Sequence, residues 1–206
     1  MMITSIVLAG GRSLRLGKNK IMETLGGETL IERVVECLAP IGDQVIIATI
    51  PGQRLPQFNH RVEIVFDAYP GKGSIGGLYS GLKAARSFHS LVVAADMPFL
   101  NQTLLSYMME MASDFDVVIP RIGGLVEPLH AIYSKRCLEA IETQIKSGRL
   151  SMKSFFSQVK VHYLDEIELD RFDPAHLSFF NINTTDDLER ANEIIAQQGV
   201  KRVICP

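Results

Sequence analysis

The chain has no tryptophan, only three cysteines and no surplus of basic residues. Each shortage excludes something. Acidic residues outnumber basic ones by 23 to 21, and the resulting net charge of −2 argues against a nucleic-acid footprint spread over the surface. Cys37, Cys137 and Cys205 are dispersed, odd in number and without metal-type spacing, so neither a disulfide framework nor a zinc site is suggested and they read as core or surface thiols. Every apolar run falls far short of the roughly 20 residues that a membrane span needs. The opening MMITSIVLAGG lacks a charged n-region and a small-residue cleavage site, so it reads as the first strand of a cytoplasmic protein rather than as a signal segment.

What is present is a strict alternation. A chain of 206 residues fits one domain, here 1–206, and can bury roughly 70% of the surface its unfolded form exposes. Short β-branched runs (ITSIVLA, QVIIATI, VEIVF, SLVVAAD, DVVIP, HAIY, VHYL and FFNIN) predict strands, and several are continuous rather than alternating, as strands covered on both faces are. Between them, TLIERVVECLAPI, SIGGLYSGLKAARSF, NQTLLSYMMEMA, KRCLEAIETQIKSG, SMKSFFSQV and TTDDLERANEIIAQQG have helical, amphipathic spacing. The last has clear boundaries, with Thr184 as N-cap, Asp187 three residues on and Gly199 at the stop. This order predicts an α/β fold with a mainly parallel central sheet.

Functional chemistry concentrates in SIVLAGGRSLRLGKNK. Adjacent glycines after a strand let the backbone approach an anion, and Arg12, Arg15, Lys18 and Lys20 follow within nine positions. Two common phosphate-binding patterns fail. The Walker pattern requires a glycine where Arg12 stands and a serine or threonine where Asn19 stands, and the dinucleotide fingerprint requires alternate rather than adjacent glycines. A solvated basic turn is the bland alternative.

The string LAGGRSLRLGKNK resembles the signature of nucleotidyltransferases that move a nucleoside monophosphate from a triphosphate onto a phosphorylated acceptor, and most of all the molybdenum cofactor guanylyltransferases. VFD, GKGSIGGLYSGL, AADMPFL, EPLHAIY and FFNINTTDDL continue the likeness in order along nearly the whole chain. The resemblance implies a three-layer, Rossmann-like fold of the nucleotide-diphosphate-sugar-transferase type. It also implies transfer of GMP from GTP to the terminal phosphate of molybdenum-molybdopterin, with Mg²⁺ as cofactor. Transient contact with proteins that deliver the cofactor or receive it is implied as well, and no partner is a nucleic acid or a membrane. Leu16, Asn19 and GSIGG depart conservatively from the family pattern, and Ala48 stands where some relatives carry an asparagine that touches base or ribose. Transfer of CTP, a sugar-phosphate or alditol-phosphate acceptor, and a non-catalytic GTP-binding module are the competing readings.

By that likeness Arg15 and Lys20 neutralise triphosphate charge, while Leu8, Ala9, Gly10 and Gly11 offer backbone contacts to the nucleotide. Asp96, at the end of LVVAAD, sits where open α/β sheets place ligands; it is the candidate Mg²⁺ ligand and completes the catalytic set with Arg15 and Lys20. The alternative is a turn cap. Asp67 and Gly76 are candidates for guanine-nucleotide binding, against a plain strand-end acid and simple helix–sheet packing. Alternation along a strand would point Asn181 and Asn183 to one face, and the resemblance implies a role for them near the acceptor, against local capping of the helix that follows. Glu127 and His130 are weaker candidates.

Overall fold

The computed structural model describes residues 2–10 and 19–197. Gly11, Arg12, Arg15, Lys18, Gly199 and Cys205 lie outside the described residues. In chain order the elements are β1 (Thr4–Leu8), β2 (Thr24–Leu25), β3 (Glu28–Thr29), α1 (Leu30–Leu38), β4 (Gln44–Thr49), β5 (Glu63–Phe66), α2 (Ser74–Ala84), β6 (His89–Ala94) and α3 (Gln102–Met111). There follow β7 (Val117–Ile122), β8 (Leu125–Val126), β9 (His130–Ser134), α4 (Cys137–Lys146), β10 (Val161–Leu164), α5 (Glu166–Asp170) and α6 (Thr185–Gln197).

The main sheet runs β10-β7-β9-β6-β1-β4-β5, with β8 paired to β7. β1 lies between β4 and β6, parallel to both, and β4 pairs parallel with β5. β9 is inserted antiparallel between β6 and β7, so the sheet is parallel on one side of β6 and mixed on the other. The continuous apolar runs end up where continuity demands, with every residue of β1, β4 and β6 buried.

Side chains alternate into two cores. One face packs Val7, Ile47 and Val93 against α1 and α3, and the other packs Ile6, Leu8, Ile46 and Val92 against α2 and α4. A third, smaller cluster joins Leu25, Leu30, Phe99, Ile182, Ala191 and Ile195. The ends of the helices follow their sequence signals: Thr29 and Glu32 form a reciprocal capping box at α1, and Thr184 and Asp187 do the same at α6.

Three expectations are corrected. FFNIN is not a strand, because Leu177–Phe179 form a 3-10 turn entered through His176 in the left-handed region (φ 52°) and residues 180–183 join no strand. Asp173 creates that turn by accepting from the Leu177 and Ser178 amides. SMKSFFSQV forms turns with a 3-10 segment at Phe156–Gln158 instead of a helix. Cys37 is disulfide-bonded, not a thiol, whereas Cys137 is a buried free thiol whose pKa burial pushes up to about 12.

The glycines of α2 serve packing first. A Cβ on Gly81 would meet Ile6 Cγ2 at 2.6 Å, and one on Gly77 would meet Leu8 Cδ2 at 3.3 Å, so the helix lies unusually close to β1. Gly81→Ala is therefore expected to lower stability by about 1–3 kcal/mol, outweighing the helix-propensity gain of up to about 1 kcal/mol. Gly77→Ala should cost less. Thermal melts of the two variants check the order, and a raised midpoint for Gly81→Ala would show that the close approach is unimportant.

Candidate active site

The carboxyl ends of β1, β4, β5 and β6 finish on one edge. Beyond β1 the Leu8 carbonyl accepts from the Ala95 amide at 3.1 Å and the Ala9 amide donates to the Ala48 carbonyl at 2.9 Å. Those two groups are committed to holding three strand ends together, and both side chains are buried, so Leu8 and Ala9 form the floor of the edge. Gly10 follows, half-buried, above Thr49 and Ile50. Ala48 is packed in the core face shared with α2, 1% exposed, so its side chain does not line the edge.

Asp96 lies two residues beyond β6, in the turn that follows it. Its Oδ2 accepts from Lys20 Nζ at 2.5 Å, and the same ammonium donates to Asn183 Oδ1 at 2.9 Å. The Lys20 and Asp96 side chains are only 12% and 19% exposed. Residues from three distant parts of the sequence thus meet around one cation. Removing one partner from an ion pair this shielded costs about 3–5 kcal/mol, because the other charge stays behind without compensation.

Each of the three is held from below. Lys20 opens a 3-10 turn, Lys20–Met22, and the preceding Asn19 is clamped at both ends of its amide: Nδ2 donates to the Arg54 carbonyl at 2.7 Å while Oδ1 accepts from Gln53 Nε2. An aspartate there could not donate, which explains the amide at this position. The Ile182 amide donates to the Asp96 carbonyl at 3.0 Å, aligning the last segment with the turn after β6. The apolar cluster of Leu25, Phe99 and Ile182 pins the same three segments. Asp187 fixes Asn183 by accepting from its backbone amide, and that bond, with the Thr184 contacts and nearby Lys20, keeps the Asp187 carboxyl below its usual range.

Capping of α6 therefore does not fall to the Asn183 side chain. Thr184 and Asp187 cap α6, which leaves the Asn183 side chain for Lys20. Asn181 instead donates to the Phe179 carbonyl at 3.2 Å, a local contact, and the two asparagines do not share a strand face.

Asp67 follows β5 and its amide continues the ladder to the Thr49 carbonyl. The carboxylate accepts from the Tyr69 amide at 2.8 Å and lies over the first turn of α2, where a Cβ on Gly76 would come within 2.7 Å of it. Gly76 is thus the gap that admits Asp67, and negative charge at the head of a helix is favourable. The loop between them is anchored from outside: Tyr69 and Tyr79 both donate to Glu142 on α4, at 2.6 and 3.1 Å. Those bonds and Lys146 draw the Glu142 carboxyl down to about 2. Nothing in the sequence pattern pointed to Glu142, and Asn19 stood out only as a departure from the family signature, because the partners of both are far away along the chain.

Glu127 is half-buried in the turn before β9, and burial raises its pKa. His130 is fully buried, its ring 4.8 Å from that of Phe179 and near the Ser178 backbone and Asp173. Among the described residues no group of three or more His, Cys, Asp or Glu side chains could hold a metal ion. Lys20 takes Asp96 Oδ2, and the other carboxylate oxygen fits Mg²⁺, which commonly takes one or two carboxylates and completes its shell with phosphate oxygens and waters.

A parallel-sheet edge that brings a lysine and a carboxylate together beyond its strand ends is the layout of a nucleotidyltransferase. The chain belongs to the MobA-like NTP transferase family, whose domain model matches residues 5–162. It is 36% identical over 200 residues to a probable molybdenum cofactor guanylyltransferase of Pelotomaculum thermopropionicum, covering 97% of each chain. It is likewise 36% identical to the molybdenum cofactor guanylyltransferase of Desulfosudis oleivorans, covering 94% of this chain and 96% of the relative. Among solved structures it resembles molybdopterin-guanine dinucleotide biosynthesis protein A from Archaeoglobus fulgidus, with a TM-score of 0.81 at 32% identity, over 95% of this chain and all of that one. The Thermus thermophilus 2-C-methyl-D-erythritol 4-phosphate cytidylyltransferase shares the fold, with a TM-score of 0.71 at 17% identity, over 95% of this chain and all of that one.

Burial holds the His130 imidazole neutral, with a pKa lowered to about 4. A folded-state pKa below the unfolded value of about 6.5 gives stability that is complete above that value and lost as pH falls toward 4. Melting temperatures of the wild type and His130→Phe, measured from pH 7 to pH 4, should converge or cross in favour of the variant as pH falls. A constant gap would show that His130 takes no proton in that window.

Proposed function

We propose that this nucleotidyltransferase moves GMP from GTP to the terminal phosphate of molybdenum-molybdopterin, releasing pyrophosphate. The observation that carries the reading is the convergence of Lys20, Asp96 and Asn183 at the sheet edge, in a chain whose near full-length relatives bear the guanylyltransferase name. An acceptor phosphate oxygen attacks the α-phosphorus of GTP; the new P–O bond forms as the α–β anhydride breaks, and the electron pair leaves with pyrophosphate. Such a reaction needs alignment and charge neutralisation more than a protein nucleophile.

In this mechanism the Lys20 ammonium, already oriented by two oxygen acceptors, turns toward the α-phosphate and neutralises charge that builds in the transition state. Arg15 adds to the same task. Gly10 brings backbone to the phosphates, with Leu8 and Ala9 beneath it, Gly11 is given the same task by the family likeness, and Asp67 and Gly76 address the guanine nucleotide from the head of α2. Asn183, and Asn181 beside it, belong to the acceptor side. Asp96 would hold Mg²⁺, which supplies further neutralisation of the triphosphate when bound. GTP as donor accords with the cytoplasmic setting read from the sequence.

Acceptor-dependent pyrophosphate release, run with GTP, CTP, ATP and UTP in parallel, tests the assignment. Release with GTP alone is expected; release with CTP instead would move the base assignment. Lys20→Ala and Asp96→Ala should each lower kcat by about a hundredfold or more. Melting curves separate this from unfolding, because either substitution leaves a shielded charge unpaired. Wild-type turnover in a folded Lys20→Ala variant would remove the lysine from the mechanism.

A further inference from the structure

We propose that β5 is the contact edge of a two-fold homodimer, joined by antiparallel pairing of β5 with β5 of a second copy. β5 ends the sheet on the side away from β10. The Asp67 amide bonds to the Thr49 carbonyl, and the parallel register sets Val65 opposite Ala48, so the backbone groups of Glu63, Val65 and Asp67 point to β4. Those of Val62, Ile64 and Phe66 therefore point outward. Among the described residues no hydrogen bond reaches them from another segment.

The side chains on this edge are unusual for solvent. Val65 packs into the core beneath α2, whereas Ile64 and Phe66, on the other face, are 49% and 57% exposed. An open edge of this kind, apolar and without a lysine or proline inside it, is what soluble proteins otherwise blunt. Here the charges beside it disfavour two of the registers centred on the strand. A two-fold axis at residue 63 would set Glu63 against the partner's Glu63, and an axis at 65 would set Glu63 against the partner's Asp67. An axis at Ile64 opposes no like charges. It pairs Ile64 with the partner's Ile64 and Val62 with the partner's Phe66 on the apolar face, and it sets Arg61 opposite the partner's Asp67 on the face of α2.

Arg61 is exposed and has no carboxylate partner among the described residues, so its charge can lie beside that of the partner's Asp67 while that carboxylate stays over Gly76. Charge complementarity of this sort fixes register and partner more than it adds affinity. The hydrogen bonds and the six apolar side chains, Val62, Ile64 and Phe66 of each copy, supply the attraction. In the dimer the two sheets become one, and both candidate active sites lie next to the junction, since β5 leads directly into Asp67.

Sedimentation velocity of the full chain over a concentration series tests the proposal. Reversible dimerisation is expected, and Phe66→Lys should raise the dissociation constant at least about tenfold, equivalent to about 1.4 kcal/mol. Arg61→Glu, on an exposed flank with no packing role, should weaken the dimer too and guards against misfolding of the first variant. Ile64→Cys reports the register: its two copies would stand about 5.5 Å apart at Cα, within disulfide reach, whereas two Phe66→Cys copies would be more than about 12 Å apart. Oxidation should therefore cross-link Ile64→Cys beyond the background of the unaltered chain, and Phe66→Cys should not. A chain that stays monomeric at every concentration, a dimer indifferent to both Phe66→Lys and Arg61→Glu, or equal cross-linking of the two cysteine variants would each overturn the proposal.

Discussion

A strand buried on both faces and paired in parallel on both edges leaves only its ends free, and β1 is in that position. Its neighbours run the same way, so four strands release their chains at one edge, and the groups that act there must be held by whatever follows each strand. Leu8 and Ala9 spend a carbonyl and an amide binding the ends of β6 and β4 together. The floor is thereby rigid before any ligand contact is considered. Above it the backbone needs room, and glycines supply it in two different ways: Gly77 and Gly81 let α2 sink onto β1, while Gly76 admits the Asp67 carboxylate to the head of that helix.

The floor alone would not bring Lys20 and Asn183 into contact. That depends on the small cluster in which Leu25, Phe99 and Ile182 each come from the chain beside one functional residue. A fully buried leucine or isoleucine contributes about 1.5–3 kcal/mol, enough to offset part of the cost of shielding an ion pair from water. The pair then has a physical purpose. An ammonium already stripped of most of its water and aimed by fixed oxygens loses little on meeting a phosphate, which is how preorganised charge lowers a barrier. Asn19 adds stiffness at the base of Lys20 through two bonds to the loop after β4.

The sequence made legible what depends on local pattern. Most strands and helices alternated as the apolar spacing said, the cap at Thr184 was readable letter by letter, and Asp67 and Asp96 stand just past strand ends at the sheet edge. It misled where a distant group overrides local preference. FFNIN has the composition of a strand, but Asp173 folds the chain just before it into a tight turn and no neighbouring strand is offered. The Asn181–Asn183 alternation failed with it. The bond from Lys20 to Asn183 spans 163 positions, and no spacing rule reaches that far. Glu142 was invisible, and the task of Asn19 unreadable, for the same reason: each matters through partners that only the fold brings near.

Glu142 also explains how the two ends of the candidate site are tied to one another. The loop that carries Asp67 into α2 has little apolar packing of its own, and the phenols of Tyr69 and Tyr79 converge on this one carboxylate from α4. α4 follows β9, whose insertion against β6 sets the position of the turn holding Asp96. A displacement of β9 would therefore reach Asp96 directly through the sheet and Asp67 indirectly through α4. Because two rigid routes join the same pair of carboxylates, their separation is a property of the sheet and its helices rather than of the loops on which they sit.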